Sequence, residues 1–229
     1  MLIRADLHIH SCLSPCGDDG MTPCDIAGIS KLNGLDLFAL TDHNSAKNCP
    51  AAALAAAEYG IGFIPGVEVT TSEDIHCVCL FPSVEAAMDF DKYLEKRLPP
   101  IVNRPDIFGR QIIVKPDGLE EEFKTLLISG CDISVMDLPS VIRAFGGVCY
   151  PAHIDREANG LLTTLGAWPD GLDSTAAEIR FALPGGLPDG LKIIRGSDSH
   201  TMADLPDGGF GLPLDTPDFN GLKKYIGGG

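Results

Sequence analysis

The residues of this chain that are best suited to chemistry are its six histidines, which all lie in short segments typical of metal sites. The segments are DLHIH with His8 and His10, TDHN with His43, DIHC with His76, PAHID with His153, and GSDSH with His200. Neutral imidazole is the commonest metal ligand, and several imidazoles near a carboxylate suit Zn²⁺, Mn²⁺ or Fe. These residue types therefore predict a metalloenzyme.

The spacing in DLHIH predicts a shared ligand site. His8 and His10 are separated by one residue, so on a β-strand both imidazoles point to the same side and can bind one ion. Asp6 lies two residues before His8, so on the same strand its side chain points to the same side as the two imidazoles. It is predicted to orient an imidazole from outside the coordination sphere.

Two carboxylates complete the candidate ligand set. Glu68 follows the strand-like run IGFIPGV, at a position where a glutamate can bridge two cations. Asp198 and His200 in GSDSH have the spacing of one strand end that supplies two ligands, either to one ion or to two different ions. The carboxylates therefore extend the prediction from one metal ion to a cluster.

Seven apolar runs are predicted to be the buried strands that position these residues. They are 2–10, 35–43, 61–68, 74–81, 147–154, 176–181 and 191–198. Six of them carry candidate ligands, mostly at their carboxyl ends, and helical segments separate them. Such alternation predicts a parallel sheet, and ligands on many strand ends favour a barrel over a doubly wound sheet. We expect one α/β domain over 1–229, a (β/α) barrel of seven strands.

Helix signals lie between the predicted strands. The clearest is Thr22 as N-cap, followed by Pro23 at the first helical position and Asp25 in the first turn. Further helices are predicted at 51–60, 83–96, 138–147 and 219–226. Residues 99–118 break the alternation with four prolines and a KPDG turn signal. They are either a lid or specificity loop, or a plain surface insertion.

Composition narrows the possible partners and locations. The net charge of -15 argues against long duplex nucleic acid, because binding to a phosphate backbone needs a basic face, but it leaves a small anionic substrate open. No apolar stretch of membrane-spanning length occurs, and MLIRADLHIH is too charged for a signal peptide. We therefore expect a cytoplasmic protein with no membrane partner and with its eight cysteines reduced.

The motifs DLHIH, TDHN, GVE, PAH and GSDSH, in this order, resemble those of the PHP (polymerase and histidinol phosphatase) family of metal-dependent phosphoesterases. The resemblance implies a distorted (β/α)7 TIM-like barrel with two or three zinc, manganese or iron ions at the carboxyl ends of its strands. It also implies a ligand set for each ion. These are His8, His10, Glu68 and Asp198 for the first, Glu68, His76 and His153 for the second, and His43 with His200 for the third.

The third site departs from the family pattern. Relatives complete it with a histidine or aspartate in the loop after HxH, and here that loop reads SCLSPCGDDG. Cys16 and Asp19 are the two candidates for the missing ligand. A thiolate would favour zinc, whereas a carboxylate leaves the choice of metal open. A third possibility is a site with two ions or one that is only partly filled.

The resemblance implies hydrolysis of phosphate esters without a side-chain nucleophile. Adjacent cations lower the pKa of a bridging water and stabilise both the entering and the leaving oxygen. Asp42 is a candidate for proton transfer or for orienting the cluster, the alternative being a structural role behind the ligands. Arg156 is a candidate for binding the phosphate, the alternative being a surface arginine paired with Asp155 or Glu157.

The expected function is therefore that of a phosphatase or phosphodiesterase. Its substrate would be a small phosphorylated metabolite, a nucleotide or a short oligonucleotide, and the sequence leaves the oligomeric state open. Two alternatives remain. One is an amidohydrolase-like enzyme acting on C–N or C–O bonds, and the other is a non-catalytic, metal-binding regulatory module.

Overall fold

The structure is a computed structural model that describes residues 1–227. The strands within that range are β1 (Leu2–Ile9), β2 (Leu37–Leu40), β3 (Gly62–Thr70), β4 (His76–Leu80), β5 (Ile112–Val114), β6 (Glu120–Glu122), β7 (Val148–Pro151), β8 (Ala176–Ile179), β9 (Lys192–Arg195) and β10 (Phe210–Pro213). The helices are α1 (Pro23–Leu32), α2 (Cys49–Tyr59), α3 (Val84–Glu95), α4 (Pro105–Phe108), α5 (Leu138–Ala144), α6 (Leu161–Leu165) and α7 (Phe219–Ile226). Each of the seven predicted runs contains a strand.

The main sheet has six strands in the order β10-β1-β2-β3-β4-β7. β1, β2 and β3 are parallel, whereas β4 is antiparallel to both β3 and β7, and β10 is antiparallel to β1. The prediction of a parallel sheet is therefore wrong at β4 and at the edge strand β10. At β4 the reason is the short connection between Thr70 and His76, which allows a hairpin but leaves no room for a crossover helix. Because β4 is reversed, its first residue lies at the carboxyl ends of its neighbours.

The parallel pair β8–β9 closes the open side of this curled sheet. The N–H of Ile154 donates to the carbonyl of Glu178 at 2.9 Å, and the N–H of Asp198 donates to the carbonyl of His8 at 2.9 Å. The N–H of His10 donates in addition to the carbonyl of Ser199 at 3.0 Å. The result is a mixed α/β fold with a half-barrel sheet, consistent with a TIM-like barrel. A complete (β/α)7 count stays a prediction.

Both faces of the main sheet are buried. Along β2, Phe38 and Leu40 belong to an apolar cluster that includes residues of α1, α2 and α3. The alternate residues Leu37 and Ala39 belong to a second cluster that includes residues of α7. The predicted start of α1 is confirmed, since Thr22 accepts a hydrogen bond from the Asp25 N–H. Packing on both faces holds the strand ends at fixed positions.

Residues 99–118 contain α4 and β5, and β5 pairs with β6. The N–H of Ile112 donates to the carbonyl of Cys12 at 2.8 Å, and the Asn48 amide donates to the carbonyl of Ile112 at 3.1 Å. Gly109 lies so close to the carbonyl of Pro15 that an added Cβ would be 2.0 Å from it. The segment thus packs on the loop that follows the HxH motif.

Within residues 1–227, no helix combines the length and the apolar character needed to cross a lipid bilayer. The eight cysteines are all free thiols, in line with the expected absence of a disulfide framework.

Candidate metal centre

The carboxyl ends of the parallel strands and the amino end of β4 bring the predicted ligands together. His8 is the next-to-last residue of β1, His76 is the first residue of β4, and Asp198 follows β9. Eight candidate ligands lie within this cluster, and all but one of them are buried; they are His8, His10, His43, Glu68, His76, His153, Asp198 and the partly exposed His200. The fold therefore places side chains from six strands around one point.

Glu68 is the centre of this cluster. Its side chain is fully buried in β3, and each of its two oxygens contacts imidazole nitrogens from other strands. Oε1 lies 2.9 Å from His76 Nδ1, 3.1 Å from His153 Nε2 and 3.2 Å from His8 Nε2. Oε2 lies 3.0 Å from His43 Nδ1 and 3.3 Å from His10 Nε2. A carboxylate in this position can bridge two cations.

The hydrogen bonds behind His8 and His10 determine which nitrogen faces the cluster. His8 Nδ1 lies 3.0 and 3.1 Å from the two carboxylate oxygens of Glu178, so this nitrogen carries the hydrogen. Ser14 donates its hydroxyl to Asp42 Oδ1 at 2.8 Å and accepts from His10 Nδ1 at 2.9 Å. Both Nε2 atoms then present lone pairs, and they lie 3.1 Å apart. A cation between them removes their repulsion.

The donor distances fit bound metal ions. Two ligands that each lie about 2.1 Å from one ion are about 3.0–3.4 Å apart at octahedral or tetrahedral angles. The buried atoms His43 Nδ1, His76 Nδ1 and Glu68 Oε2 make no hydrogen bond, although two of them are only 3.0 Å apart. Their lone pairs converge on shared points instead of on each other. Three groups have this geometry, namely His8–His10–Glu68–Asp198, His43–Glu68–His76 and His10–His43–His200.

The charges of the cluster are strongly coupled. Burial would raise the pKa of Glu68, but His76, His8 and His43 hold it well below its usual range. Burial would lower the pKa of His10, but the carboxylates of Asp198 and Glu68 raise it to about 9. Burial and the neighbouring His10 lower the pKa of His200 to about 3. Without bound cations, His10 is therefore protonated at neutral pH.

The backbone is strained at two of the ligands. His153 has φ 24° and Asp198 has φ 52°, both in the left-handed region that non-glycine residues seldom adopt. Gly196 is required nearby, because an added Cβ would lie 2.4 Å from Glu178 Oε2 and 2.7 Å from His8 Cβ. Strain of this kind persists where the surrounding structure fixes it, and it concentrates at functional sites.

Glu178 is a functional residue that the sequence analysis missed. It lies in β8, is buried, and besides contacting His8 Nδ1 it accepts the backbone N–H of His153 at 3.1 Å. It thus fixes the orientation of His8 and the position of His153 together. The available signal was a carboxylate inside the apolar run AAEIRF, which needs a partner when buried.

One of the two predicted acidic residues, Asp42, contacts Ser14 behind His10, whereas the other, Asp6, binds backbone N–H groups. Asp42 is buried and accepts from the Ser11 N–H at 2.7 Å, the Ser11 hydroxyl at 2.6 Å and the Ser14 hydroxyl. Its oxygens hold the loop and face no open space. Asp6 does not contact an imidazole but accepts backbone N–H groups of His8 and Ser197 at 3.3 and 3.1 Å. Burial raises the pKa of Asp6 to about 6.

The two candidates for the third site separate in the structure. Cys16 lines the same cleft as His43 and His200. Asp19 instead pairs with Arg110 at 3.1 Å on the surface, and both side chains are more than half exposed. The thiol and not the carboxylate therefore lies beside the imidazoles.

The cleft above the cluster has a volume of about 430 Å³ and is lined by Cys16, His43, His76, Ile128, Arg156, Asn159, Asp198 and His200. Arg156 Nη1 lies 2.7 Å from Asp198 Oδ2, and Arg180 Nη1 lies 3.3 Å from the same oxygen. Asp155 does not pair with Arg156 but binds backbone N–H groups of residues 180–182. The guanidinium of Arg156 therefore lines the cleft, and that of Arg180 contacts the same candidate metal ligand, Asp198.

Comparisons with known proteins add to this picture. No protein-family model matches the chain. It is 41% identical over 77 residues to a 3',5'-nucleoside bisphosphate phosphatase of Chromobacterium violaceum, which covers 34% of this chain and 26% of the relative. It is 32% identical over 118 residues to a 5'-3' exoribonuclease of Haemophilus influenzae, covering 48% and 42%. The matches thus span less than half the length of either relative.

The fold is shared with the lesion-specific endonuclease Q of Pyrococcus furiosus, at a TM-score of 0.71 and 17% identity, over 100% of this chain and 57% of the endonuclease. A second structure of endonuclease Q, at a TM-score of 0.70, holds a 27-mer duplex with an abasic lesion at the active site. The exclusion of long duplex nucleic acid is therefore wrong. Net charge averages over the whole surface, whereas binding depends on the local charge distribution. These sequence relatives and the shared fold support a PHP-like family.

Proposed function

We propose that the protein belongs to the PHP family and is a metal-dependent phosphoesterase. Its substrate is a phosphate ester of a nucleotide, a short oligonucleotide or another small metabolite. The names of the two sequence relatives, a nucleoside bisphosphate phosphatase and an exoribonuclease, favour a nucleotide or an oligonucleotide end. The reaction is the hydrolysis of a phosphoric ester bond.

One observation carries this proposal. The Nε2 atoms of His8 and His10 are 3.1 Å apart, and the hydrogen on each ring is committed to an acceptor on the other side. Such an arrangement is unfavourable without positive charge between the rings. The carboxylates of Glu68 and Asp198 lie 3.2–3.6 Å from the same two nitrogens, which suits a divalent ion.

The proposed ligand assignment agrees with the donor group His8–His10–Glu68–Asp198, which would hold the first ion. Glu68, His76 and His153 would hold a second ion, although the donor group that contains Glu68 and His76 includes His43 and not His153. His43 and His200, with Cys16, would provide the third site, and zinc, manganese or iron fit these donors. When bound, the ions supply an activated water and neutralise charge on the phosphoryl oxygens. His43 Nδ1 also lies 3.0 Å from Glu68 Oε2, so His43 could serve the second ion as well as the third.

The residues around the metal ligands bind the substrate or orient the imidazoles. Arg156, with 41% of its side chain exposed, is free to leave Asp198 and donate to a phosphoryl oxygen of the substrate. Glu178 and Ser14 keep the hydrogens of His8 and His10 on Nδ1, and Asp42 holds Ser14. The segment 99–118 acts as a cover for the loop that carries Cys16, because β5 hydrogen-bonds to that loop.

The test is phosphate release by protein reconstituted with zinc, manganese or iron(II). Sugar phosphates, nucleoside monophosphates and bisphosphates, and single-stranded and duplex oligonucleotides are the substrates. We expect turnover of at least one nucleotide substrate and its loss in His153→Ala. Metal analysis of both proteins accompanies the assay. Bound metal without turnover of any phosphate ester would contradict the proposal and favour the non-catalytic module or hydrolysis of C–N or C–O bonds.

A further inference from the structure

An exposed aromatic ring follows Arg180 in the sequence, and Arg180 Nη1 lies 3.3 Å from Asp198, a residue that lines the cleft. Phe181 follows β8 and is 69% exposed, which is unusual for so large an apolar side chain. None of the roles assigned to the metal cluster uses it. A ring in this position either is a solvent-exposed side chain with no binding role or contacts a ligand that enters the cleft.

The backbone that carries this ring is held firmly. The carboxylate of Asp155 accepts three successive backbone N–H groups, from Arg180 at 2.9 Å, Phe181 at 2.6 Å and Ala182 at 2.9 Å. Asp155 lies two residues after His153, on the connection that leaves β7. The backbone that carries the ring is therefore tied to the connection that follows His153.

The distance from the ring to Asp198 has an upper limit that a nucleotide can span. Arg180 Cζ lies 5.9 Å from the centre of the Phe181 ring, and Arg180 Nη1 lies 3.3 Å from Asp198 Oδ2. One C–N bond joins Arg180 Cζ to Nη1, so the centre of the Phe181 ring is at most about 11 Å from Asp198 Oδ2. A base and its own phosphorus are separated by about six bonds, on the order of 6–7 Å, and stacking adds about 3.5 Å.

We propose that Phe181 is a stacking platform for the nucleobase of the substrate, with Arg180 beside it and the phosphate over the metal cluster. This inference rests on the proposed function and names how the same site recognises its substrate. A base that is paired inside a duplex is already stacked, so the platform takes a free nucleotide, a single-stranded end or a base extruded from a duplex.

The first test compares kinetics with and without a base. Phe181→Leu keeps an apolar side chain but removes the π-face, and Phe181→Trp keeps the face. In the metal-loaded enzyme we expect Phe181→Leu to raise KM for adenosine 5'-monophosphate roughly 5- to 100-fold and to leave ribose 5-phosphate unchanged. Phe181→Trp should behave like the unmodified protein. Leu183→Ala, on the same loop and 63% exposed, is the matched control and should have no effect.

A second test needs no turnover. The fluorescence of 2-aminopurine riboside 5'-monophosphate should be quenched on binding to the protein, and the quenching should be lost in Phe181→Leu. Unchanged quenching in that variant, or equal KM changes with and without the base, would overturn the platform. A change of oligomeric state in Phe181→Leu would overturn it too, because the ring would then belong to a subunit interface.

The two tests separate the platform from the proposed function. Phosphate release from ribose 5-phosphate without Phe181-dependent quenching would leave a phosphoesterase that lacks this platform. Quenching that depends on Phe181, with no phosphate released from any substrate, would leave a nucleotide-binding site without the proposed activity. Repeating the quenching assay with the fluorescent base in a mononucleotide, at a single-stranded end and inside a duplex identifies the source of the base.

Discussion

At the amino ends of β7 and β8, a groove of about 490 Å³ carries Arg143 and Asp173, which form a 2.7 Å ion pair and are 49% and 62% exposed. At the opposite end of the barrel, Glu68 is fully buried among imidazoles, and one of its oxygens makes no hydrogen bond. The groove is slightly larger than the cleft above the metal centre. The exposed ion pair of the groove is satisfied within the protein, whereas several buried polar atoms of the candidate metal centre have no hydrogen-bond partner. Unmet hydrogen-bonding capacity, and not volume, distinguishes the end of the sheet that carries the candidate metal centre.

The largest expected effect comes from removing the central carboxylate. Glu68→Ala deletes the group that contacts five imidazoles, so at least one ion should be lost and activity should fall by at least about 10²-fold. Metal content by mass spectrometry and phosphate release measure the two effects. Full metal occupancy in the variant would show that Glu68 is not a bridging ligand.

The second-largest expected effect is that of a substitution at Glu178, which would act on the metal only through His8. Glu178→Gln should weaken metal binding by about 10- to 100-fold, since the amide is a poorer acceptor for the His8 Nδ1 hydrogen. Glu58→Gln, the same change at an exposed position of α2, is the control and should bind metal normally. Competition with a chelator measures both affinities, and equal values would remove Glu178 from the metal centre.

The metal-free protein should lose stability as the pH rises. The pKa of His10 is about 9 in the folded state, against 6.5 in the unfolded chain, and that of His43 is also about 9. Raised histidine pKa values contribute stability that is complete below 6.5 and is lost as the pH rises to 9. His200 has a pKa of about 3, so its titration changes the stability only below pH 6.5. Thermal unfolding of the metal-free protein between pH 6.5 and 9 should show a falling Tm.

Added metal should reverse that trend, because the ions replace the protons and bind more tightly as the pH rises. Proton release on metal binding, measured by calorimetry in two buffers of different ionisation enthalpy, checks the exchange directly. Metal binding without proton release at pH 7 would mean that the imidazoles are already neutral.

The smallest expected effect is that of a substitution in the groove at the amino ends of β7 and β8. Arg143→Ala breaks an exposed ion pair and should change the free energy of unfolding by no more than about 1 kcal/mol, with metal affinity unaffected. Denaturant unfolding and a chelator titration measure the two quantities. A loss of metal binding in this variant would contradict the separation of the two ends.

The sequence predicted the strand runs because burial on both faces of the main sheet leaves unbroken apolar stretches. It could not predict that β4 is reversed, because strand direction depends on pairing and not on composition. The histidine motifs located the cluster, since few other roles concentrate imidazoles at strand ends. The sequence analysis missed Glu178 because its partner, His8, is 170 positions away, and a contact of that range leaves no local sequence pattern. Asp42 was placed correctly beside the cluster, but its three hydrogen bonds to the loop depend on how residues 11–14 turn.

The seam between the main sheet and the β8–β9 pair has a mechanical consequence. Only a few backbone hydrogen bonds join the two parts, yet Asp198 on one side and His8, His10 and Glu68 on the other share one candidate ion site. An ion there acts as a cross-link between distant parts of the chain and lowers the entropy gained when the seam opens. Chelation should therefore loosen β8 and β9 first, and their amide hydrogens should exchange faster before those of β1 to β3 do.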